Sequence, residues 1–181
     1  MTRRDFLKAF GAGVASLGLN LSNSTNVLAA PPSKLIARRG KDTFKIDIYD
    51  KKGYMALKYL MRDIKDGVEG FPHFFLVERM AWVQSYFALY KKFEVFNITS
   101  GLRTPRTNRA IEGAAQRSAH LPNKDMVFFA VDFRLGNISA SEIADVSKAL
   151  ASYSGFGGTG LYVGRNFIHM DVMRKRQWKG K

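Results

Sequence analysis

The stretch Phe167-Ile168-His169-Met170-Asp171 places a histidine and an aspartate two residues apart in a segment with the composition of a β-strand. Side chains two apart on a strand point to the same face of a sheet, so both can face one cleft. Earlier in the chain, Ser118-Ala119-His120 lies in a loop before an apolar, strand-like segment. Ala130-Val131-Asp132 lies near the end of that segment. Loops and strand ends on a rigid sheet are where functional side chains usually lie.

These side chains offer the ligand chemistry of a catalytic zinc site. The chain has three histidines and no cysteine, so imidazole and carboxylate groups are available and thiolates are not. Zinc held by His120, Asp132 and His169 would keep a fourth position for water and lower the pKa of that water towards ~7, which predicts hydrolysis. Asp171 would then act as general base, or would orient a ligand histidine through its other ring nitrogen. The third histidine, His73, follows a proline at a predicted helix start and is not assigned to the site.

Residues 1–30 have the three-part layout of a bacterial export signal. The pair Arg3-Arg4 precedes a mildly apolar run rich in Gly and Ala, which is typical of the twin-arginine signal. We expect cleavage near Ala29 or Ala30 and a periplasmic product. The alternative is a short amphipathic helix of the mature fold. Elsewhere the sequence contains nothing close to the ~18 consecutive apolar residues of a membrane span.

The charge favours polyanionic partners. The net charge is +14, and removal of residues 1–30 takes away three basic groups and one acidic group to leave +12. Nucleic acid, anionic membrane and anionic cell-wall polymer all suit such a charge. The export signal argues against nucleic acid, so we expect none as a partner. The basic tail, residues 174–181, is either a solvated, frayed terminus or a contact with anionic polymer or membrane, with Trp178 as interfacial anchor.

The pattern of apolar residues predicts an α+β domain over 44–173, with a small, mainly antiparallel sheet flanked by helices. Residues 31–43 are predicted to be a flexible, Pro-containing lead-in, and residues 155–160 a glycine-rich turn. Helices are predicted over 54–65, over 73–92 and from a capping box at Ser139-Ala140-Ser141-Glu142 to about 152. The strands are predicted over 44–49, 95–99, 127–134, 161–163 and 167–172. One apolar stripe of the second helix is predicted to be core: Leu76, Met80, Val83, Phe87 and Tyr90.

Four motifs together carry a family resemblance: Ser100-Gly101-Leu102-Arg103-Thr104, the two segments that hold His120 and Asp132, and the final His-x-Asp stretch. In order and approximate spacing they resemble the zinc D-Ala-D-Ala peptidases, above all the exported murein endopeptidases with a Ser-Gly-Tyr-Arg motif. The resemblance covers roughly residues 35–178. It implies the zinc-peptidase fold shared with the hedgehog signalling domain. It also implies metal ligands at His120, Asp132 and His169, and hydrolysis of peptide cross-links or terminal D-amino acids in peptidoglycan.

Arg103 matches the arginine of the family motif. The resemblance implies that it binds a substrate carboxylate or steadies the oxyanion, since a guanidinium suits both tasks. The structural alternative is an arginine that pins its own loop.

The chain departs from the family pattern in three places. His120 and Asp132 are further apart than in the family motif, so residues 121–126 resemble an insertion. The intact Ala-x-Asp end favours Asp132 as the ligand; the alternatives are Asp125 as ligand or a degraded site. Leu102 replaces the motif tyrosine, which predicts changed substrate contacts. Asn166 replaces the acid found in related branches before the last histidine, so Asp171 takes the role of base.

The leading hypothesis is a periplasmic zinc-dependent murein peptidase, a DD- or LD-endopeptidase that acts on the peptide stems of peptidoglycan. The second hypothesis is a metal-free peptidoglycan-binding or scaffolding module with a degraded site. A basic nucleic-acid-binding protein is a third, and it rests on charge alone.

Overall fold

The computed structural model describes residues 32–90 and 92–180. These residues form four α-helices and nine strands. The helices are α1 (Lys51–Leu60), α2 (Phe74–Leu89), α3 (Pro105–Arg109) and α4 (Ala140–Ser154). The strands are β1 (Lys34–Arg39), β2 (Asp42–Asp47), β3 (Phe71–Pro72), β4 (Phe96–Ser100), β5 (Val127–Phe128), β6 (Ala130–Leu135), β7 (Gly158–Tyr162), β8 (Phe167–Asp171) and β9 (Arg176–Lys179).

Seven strands form one sheet in the order β2-β1-β4-β6-β8-β7-β9, and β3 and β5 pair separately. Within the large sheet, β1–β2, β4–β6, β6–β8 and β7–β8 are antiparallel, whereas β1–β4 and β7–β9 are parallel. The predicted α+β class with a mainly antiparallel sheet is therefore confirmed. Strands β6 and β8, which carry Asp132 and His169, are neighbours near the middle of the sheet.

The predicted helices are present with shifted ends. Helix α1 begins earlier than predicted because the Asp50 side chain accepts hydrogen bonds from the amides of Lys52 and Gly53. The capping box of α4 is present, with Ser139 and Glu142 exchanging side-chain-to-backbone hydrogen bonds. That helix ends at Gly155, which adopts the left-handed conformation with φ 74°.

Helix α2 is buried around most of its circumference. The predicted stripe is core from Leu76 to Phe87, but Tyr90 lies past the helix end and is 41% exposed. The helix also buries Arg79 and Gln84, whose side chains form hydrogen bonds with backbone groups of other elements. Gln84 bonds both the N–H and the C=O of Ile36, at 2.8 Å each. Buried polar groups of this kind need such partners because their desolvation is otherwise uncompensated.

The lead-in predicted over 31–43 is not a separate flexible segment. Residues 34–39 form β1, which lies between β2 and β4, and Leu35 and Ala37 are buried in the core. The alternation of buried and more accessible side chains along β1 follows the period of two of a strand. The domain therefore begins before residue 44.

The basic tail is likewise not frayed over its described length. Residues 176–179 form β9, which pairs parallel with β7 in the register Gly158↔Arg176 to Leu161↔Lys179. The predicted glycine-rich turn ends earlier than expected, because β7 begins at Gly158. Both ends of the described chain thus belong to the sheet.

The predicted export signal, residues 1–30, lies outside the described residues. Among those that are described, we find no helix of the length and apolarity that crossing a membrane requires.

Candidate metal centre

His120 is held at the site by two hydrogen bonds with the segment after β4. Its Nδ1–H donates to the Gly101 carbonyl at 2.5 Å, and its own carbonyl accepts from the Arg103 amide at 2.9 Å. Because a carbonyl oxygen only accepts, Nδ1 carries the proton and Nε2 is left bare. Gly101 itself packs against Met61, since a Cβ on Gly101 would collide with the Met61 backbone.

Asp132 and His169 face each other as cross-strand partners of β6 and β8. The His169 Nδ1 lies 2.9 Å from Asp132 Oδ1. The other ring nitrogen, Nε2, lies 3.0 Å from Asp171 Oδ2, so its hydrogen donates to that carboxylate. In the neutral ring Nδ1 is therefore the bare nitrogen of His169, and it points toward Asp132 and His120.

Three acceptor atoms thus converge. His120 Nε2 lies 3.2 Å from Asp132 Oδ1 and 3.1 Å from His169 Nδ1. Among the described residues these three side chains are the group whose ligand atoms lie within 4.8 Å of one another, and all three are buried. Two bare nitrogens and a carboxylate oxygen repel one another unless a proton or a metal cation lies between them. Tetrahedral ligands at about 2.0–2.1 Å from zinc are separated by about 3.3 Å, close to the spacing seen here.

The pKa shifts of the cluster follow from burial and mutual contact. Burial lowers the pKa of His120 and outweighs the opposing attraction of Asp132, so the ring stays neutral, as a metal ligand must be. Burial alone would raise the pKa of Asp132, but its electrostatic interactions and hydrogen bonds with His120 and His169 bring it below its usual value. Burial opposes protonation of His169 as well, yet its hydrogen bonds to the Asp132 and Asp171 carboxylates raise its pKa. A cation bound at Nδ1 would therefore have to displace the proton that Asp132 favours there.

Asp171 contacts His169 on the side of the ring that faces away from the three converging atoms, and its side chain is fully buried. Oδ2 accepts from His169 and from Arg176 at 2.7 Å, and Oδ1 accepts from the amides of Gly158 and Met173 at 3.0 and 2.9 Å. Burial raises the pKa of this carboxyl, but the His169 hydrogen bond and the other contacts lower it overall. Both oxygens are occupied, which suits orientation of His169 better than exchange of protons with a substrate.

Arg103 contacts the opposite side of the cluster. Its guanidinium forms an ion pair with Asp132 Oδ2, while Nε–H donates to Ser100 Oγ at 3.0 Å. Asp132 therefore uses one oxygen toward the histidines and the other toward Arg103. The arginine that the motif predicted is brought to the site.

The lengthened segment after His120 closes on itself. Asn123 receives hydrogen bonds from the amides of Asp125 and Val127, and the chain then enters β5 and β6. Asp125, the alternative ligand, is exposed in this turn, whereas Asp132 lies in the cluster.

Two side chains singled out from the sequence do not face the site. Leu102 is buried in the core, and the expected change in substrate contacts through loss of the motif tyrosine stays a prediction. His73 caps the N-terminus of α2 by accepting from the Phe75 amide at 3.3 Å.

Sequence reasoning missed two residues beside the cluster, Arg176 and Trp178. Arg176 bonds Asp171, and the Trp178 ring lies 5.1 Å from the ring of His169. A period-two signal was available, because Arg176-Gln177-Trp178 follows the same spacing as His169-Met170-Asp171. It was obscured by the basic composition of the tail.

Comparisons with known proteins agree with this geometry. The peptidase M15 family matches residues 53–171. The chain is 30% identical over 128 residues to the "Probable peptidoglycan L,D-endopeptidase MepK" of Haemophilus influenzae, and this match covers 68% of the chain and 63% of that relative. The match thus spans less than two thirds of the relative's length. No solved structure gives a significant match. With the family match covering more than half of its length and both motif histidines inside it, the chain belongs to the peptidase M15 family.

Proposed function

We propose that this protein is a zinc-dependent peptidoglycan endopeptidase that hydrolyses peptide cross-links in the periplasm, after export by the twin-arginine route. The observation that carries the proposal is the convergence of two bare imidazole nitrogens and one carboxylate oxygen within 2.9–3.2 Å. The name of the Haemophilus relative supports peptidoglycan as substrate and favours L,D bonds over D,D bonds.

The donor set fits zinc. His120, Asp132 and His169 would supply two nitrogens and one oxygen, which is the three-ligand arrangement of catalytic zinc sites with a position left open. When bound, zinc would supply Lewis-acid activation of a water molecule and of the scissile carbonyl.

The protein's own residues prepare that site. The Gly101 carbonyl and the Asp171 carboxylate each accept a hydrogen bond from the outer nitrogen of a histidine, which directs the inner nitrogen to the cluster. Arg103 keeps Asp132 turned toward the histidines and brings a fixed positive charge to the site. A charge there favours a substrate carboxylate or a developing oxyanion.

Metal content by mass spectrometry, followed by digestion of purified cross-linked muropeptides, tests the proposal. We expect about one zinc per chain and cleavage, both lost in His120→Ala and in His169→Ala. His73→Ala is the matched control, because this histidine caps a helix outside the cluster. Muropeptide dimers joined by L,D or by D,D bonds identify the bond that is cut.

A metal-free binding module makes the opposite prediction. Wall binding would then persist in all three variants, the wild type would hold no zinc even after zinc is added back, and no dimer would be cleaved. That result would overturn the proposal.

A further inference from the structure

At one edge of the sheet, two rows of residues run across the adjacent strands β8, β7 and β9. In the first row, Gly160 pairs with His169 of β8 on one side and with Trp178 of β9 on the other. In the second row, the Gly158 amide donates to Asp171 Oδ1 at 3.0 Å, and Gly158 is in register with Arg176. A glycine therefore stands between each site residue of β8 and a large side chain of β9.

The glycines leave room for direct contact across the middle strand. A Cβ on Gly160 would collide with the Trp178 indole, and a Cβ on Gly158 would collide with the Asp171 carboxylate. Neither glycine has a positive φ, so their backbone conformation is open to other residues. Space is what these positions require. Because Gly158 and Gly160 carry no side chains, the side chains of β9 reach across β7 at these positions to those of β8.

Both side chains of β9 use that space. Arg176 Nη2–H donates at 2.7 Å to Asp171 Oδ2, the same oxygen that lies 3.0 Å from His169 Nε2. The Trp178 ring lies 5.1 Å from the His169 ring at an angle of 49°, and its Nε1–H donates to Tyr162 Oη at 3.2 Å. The Arg176 guanidinium also lies over the Trp178 ring, at 5.1 Å. The imidazole of His169 is thus fixed at its outer nitrogen and packed against an indole.

We propose that Arg176 and Trp178 are positioning residues for His169: Arg176 acts through Asp171, and Trp178 acts by packing on the ring. This inference rests on the proposed function, because positioning matters only if His169 holds a metal. The last strand then contributes residues to the metal centre, and Gly158 and Gly160 of β7 leave the space in which these residues contact β8. Partners that orient a ligand imidazole typically contribute about 10–100-fold to metal affinity.

The test is a zinc affinity titration of the full chain against a chelating dye, with a thermal melt of each metal-free protein alongside. We expect Arg176→Ala and Trp178→Ala to bind zinc about tenfold or more weakly. Arg176→Lys, which keeps the charge, should recover most of the affinity. Gln177→Ala is the matched control on the same strand, because its exposed side chain lies on the opposite face from its two neighbours. It should bind zinc as the wild type does.

The outcomes separate this inference from the proposed function. Wild-type zinc binding with unchanged affinity in Arg176→Ala and Trp178→Ala overturns the inference and leaves the proposed function intact, even if the metal-free melting temperatures fall. Absence of zinc binding in the wild type overturns both. If Arg176→Ala does not fold, Arg176→Gln replaces it, and the same tenfold expectation decides.

Discussion

At the scale of single residues, the site is determined by the nitrogen of each histidine that is left bare. The Gly101 carbonyl and the Asp171 carboxylate accept hydrogen bonds from the outer N–H groups, so His120 presents Nε2 and His169 presents Nδ1. The two histidines present different nitrogens because Gly101 engages Nδ1 of His120, whereas Asp171 engages Nε2 of His169. The sequence shows the local partner of His169, since Asp171 lies two residues away, but the partner of His120 is Gly101, 19 residues earlier in the chain.

Asp171→Asn distinguishes orientation of His169 from general-base catalysis. The amide can offer one oxygen, but Asp171 uses both, toward His169 and Arg176 on one side and two backbone amides on the other. We expect zinc affinity to fall about 10–100-fold, because the His169 ring loses its fixed direction. A zinc titration of the folded variant measures this. Wild-type zinc affinity combined with a loss of turnover of about 10²-fold or more would instead assign Asp171 as the base.

Arg103→Lys tests the guanidinium. Lysine keeps the positive charge but cannot contact Asp132 and Ser100 together in the way that Nη2 and Nε do. We expect zinc to remain bound and kcat/KM on cross-linked muropeptides to fall about 10²-fold, in line with the loss of one donor to an oxyanion. Unchanged kcat/KM with a lower melting temperature would make Arg103 a loop-pinning residue only.

At the scale of elements, the sequence predicted the inner part of the fold well and its two ends poorly. The capping box of α4, the apolar stripe of α2 and the strand that holds His169 are local patterns, and each is present. Strands β1 and β9 are rich in basic residues, and their places in the sheet depend on pairing with the distant strands β4 and β7. Local composition carries little of that information, so both segments were assigned to flexible ends.

Gln84→Leu tests whether β1 is an integral strand. The Gln84 side chain bonds the N–H and C=O of Ile36 and the C=O of Glu94, all within 2.8–2.9 Å. Leucine of similar size leaves these backbone groups without that partner, which we expect to cost about 2–4 kcal/mol of unfolding free energy. Urea denaturation measures the change. Gln116→Leu, at an exposed position, is the control and should cost less than about 0.5 kcal/mol. Equal, small effects in both variants would mean that residues 34–39 contribute nothing to the folded sheet.

At the scale of the whole molecule, two pairs of exposed basic residues lie at opposite ends of the large sheet. The link between β8 and β9 carries Arg174 and Lys175, both exposed, directly after the strand that holds His169. Lys51 and Lys52 are exposed at the start of α1, which packs mainly on β2, at the other end of the sheet. These two pairs allow the effect of total charge to be separated from the effect of its position.

We expect the protein to bind isolated peptidoglycan sacculi, and to bind them several-fold more weakly as the salt concentration rises from low to physiological, where the screening length is about 8 Å. Co-sedimentation measures the bound fraction. Arg174→Glu with Lys175→Glu should weaken binding more than Lys51→Glu with Lys52→Glu, although the change in net charge is the same. Equal losses of binding in the two double variants would show that binding to the sacculi depends on total charge alone. Binding insensitive to salt in every variant would mean that recognition depends on the peptide stems at the metal centre, and the positive charge would then have no part in it.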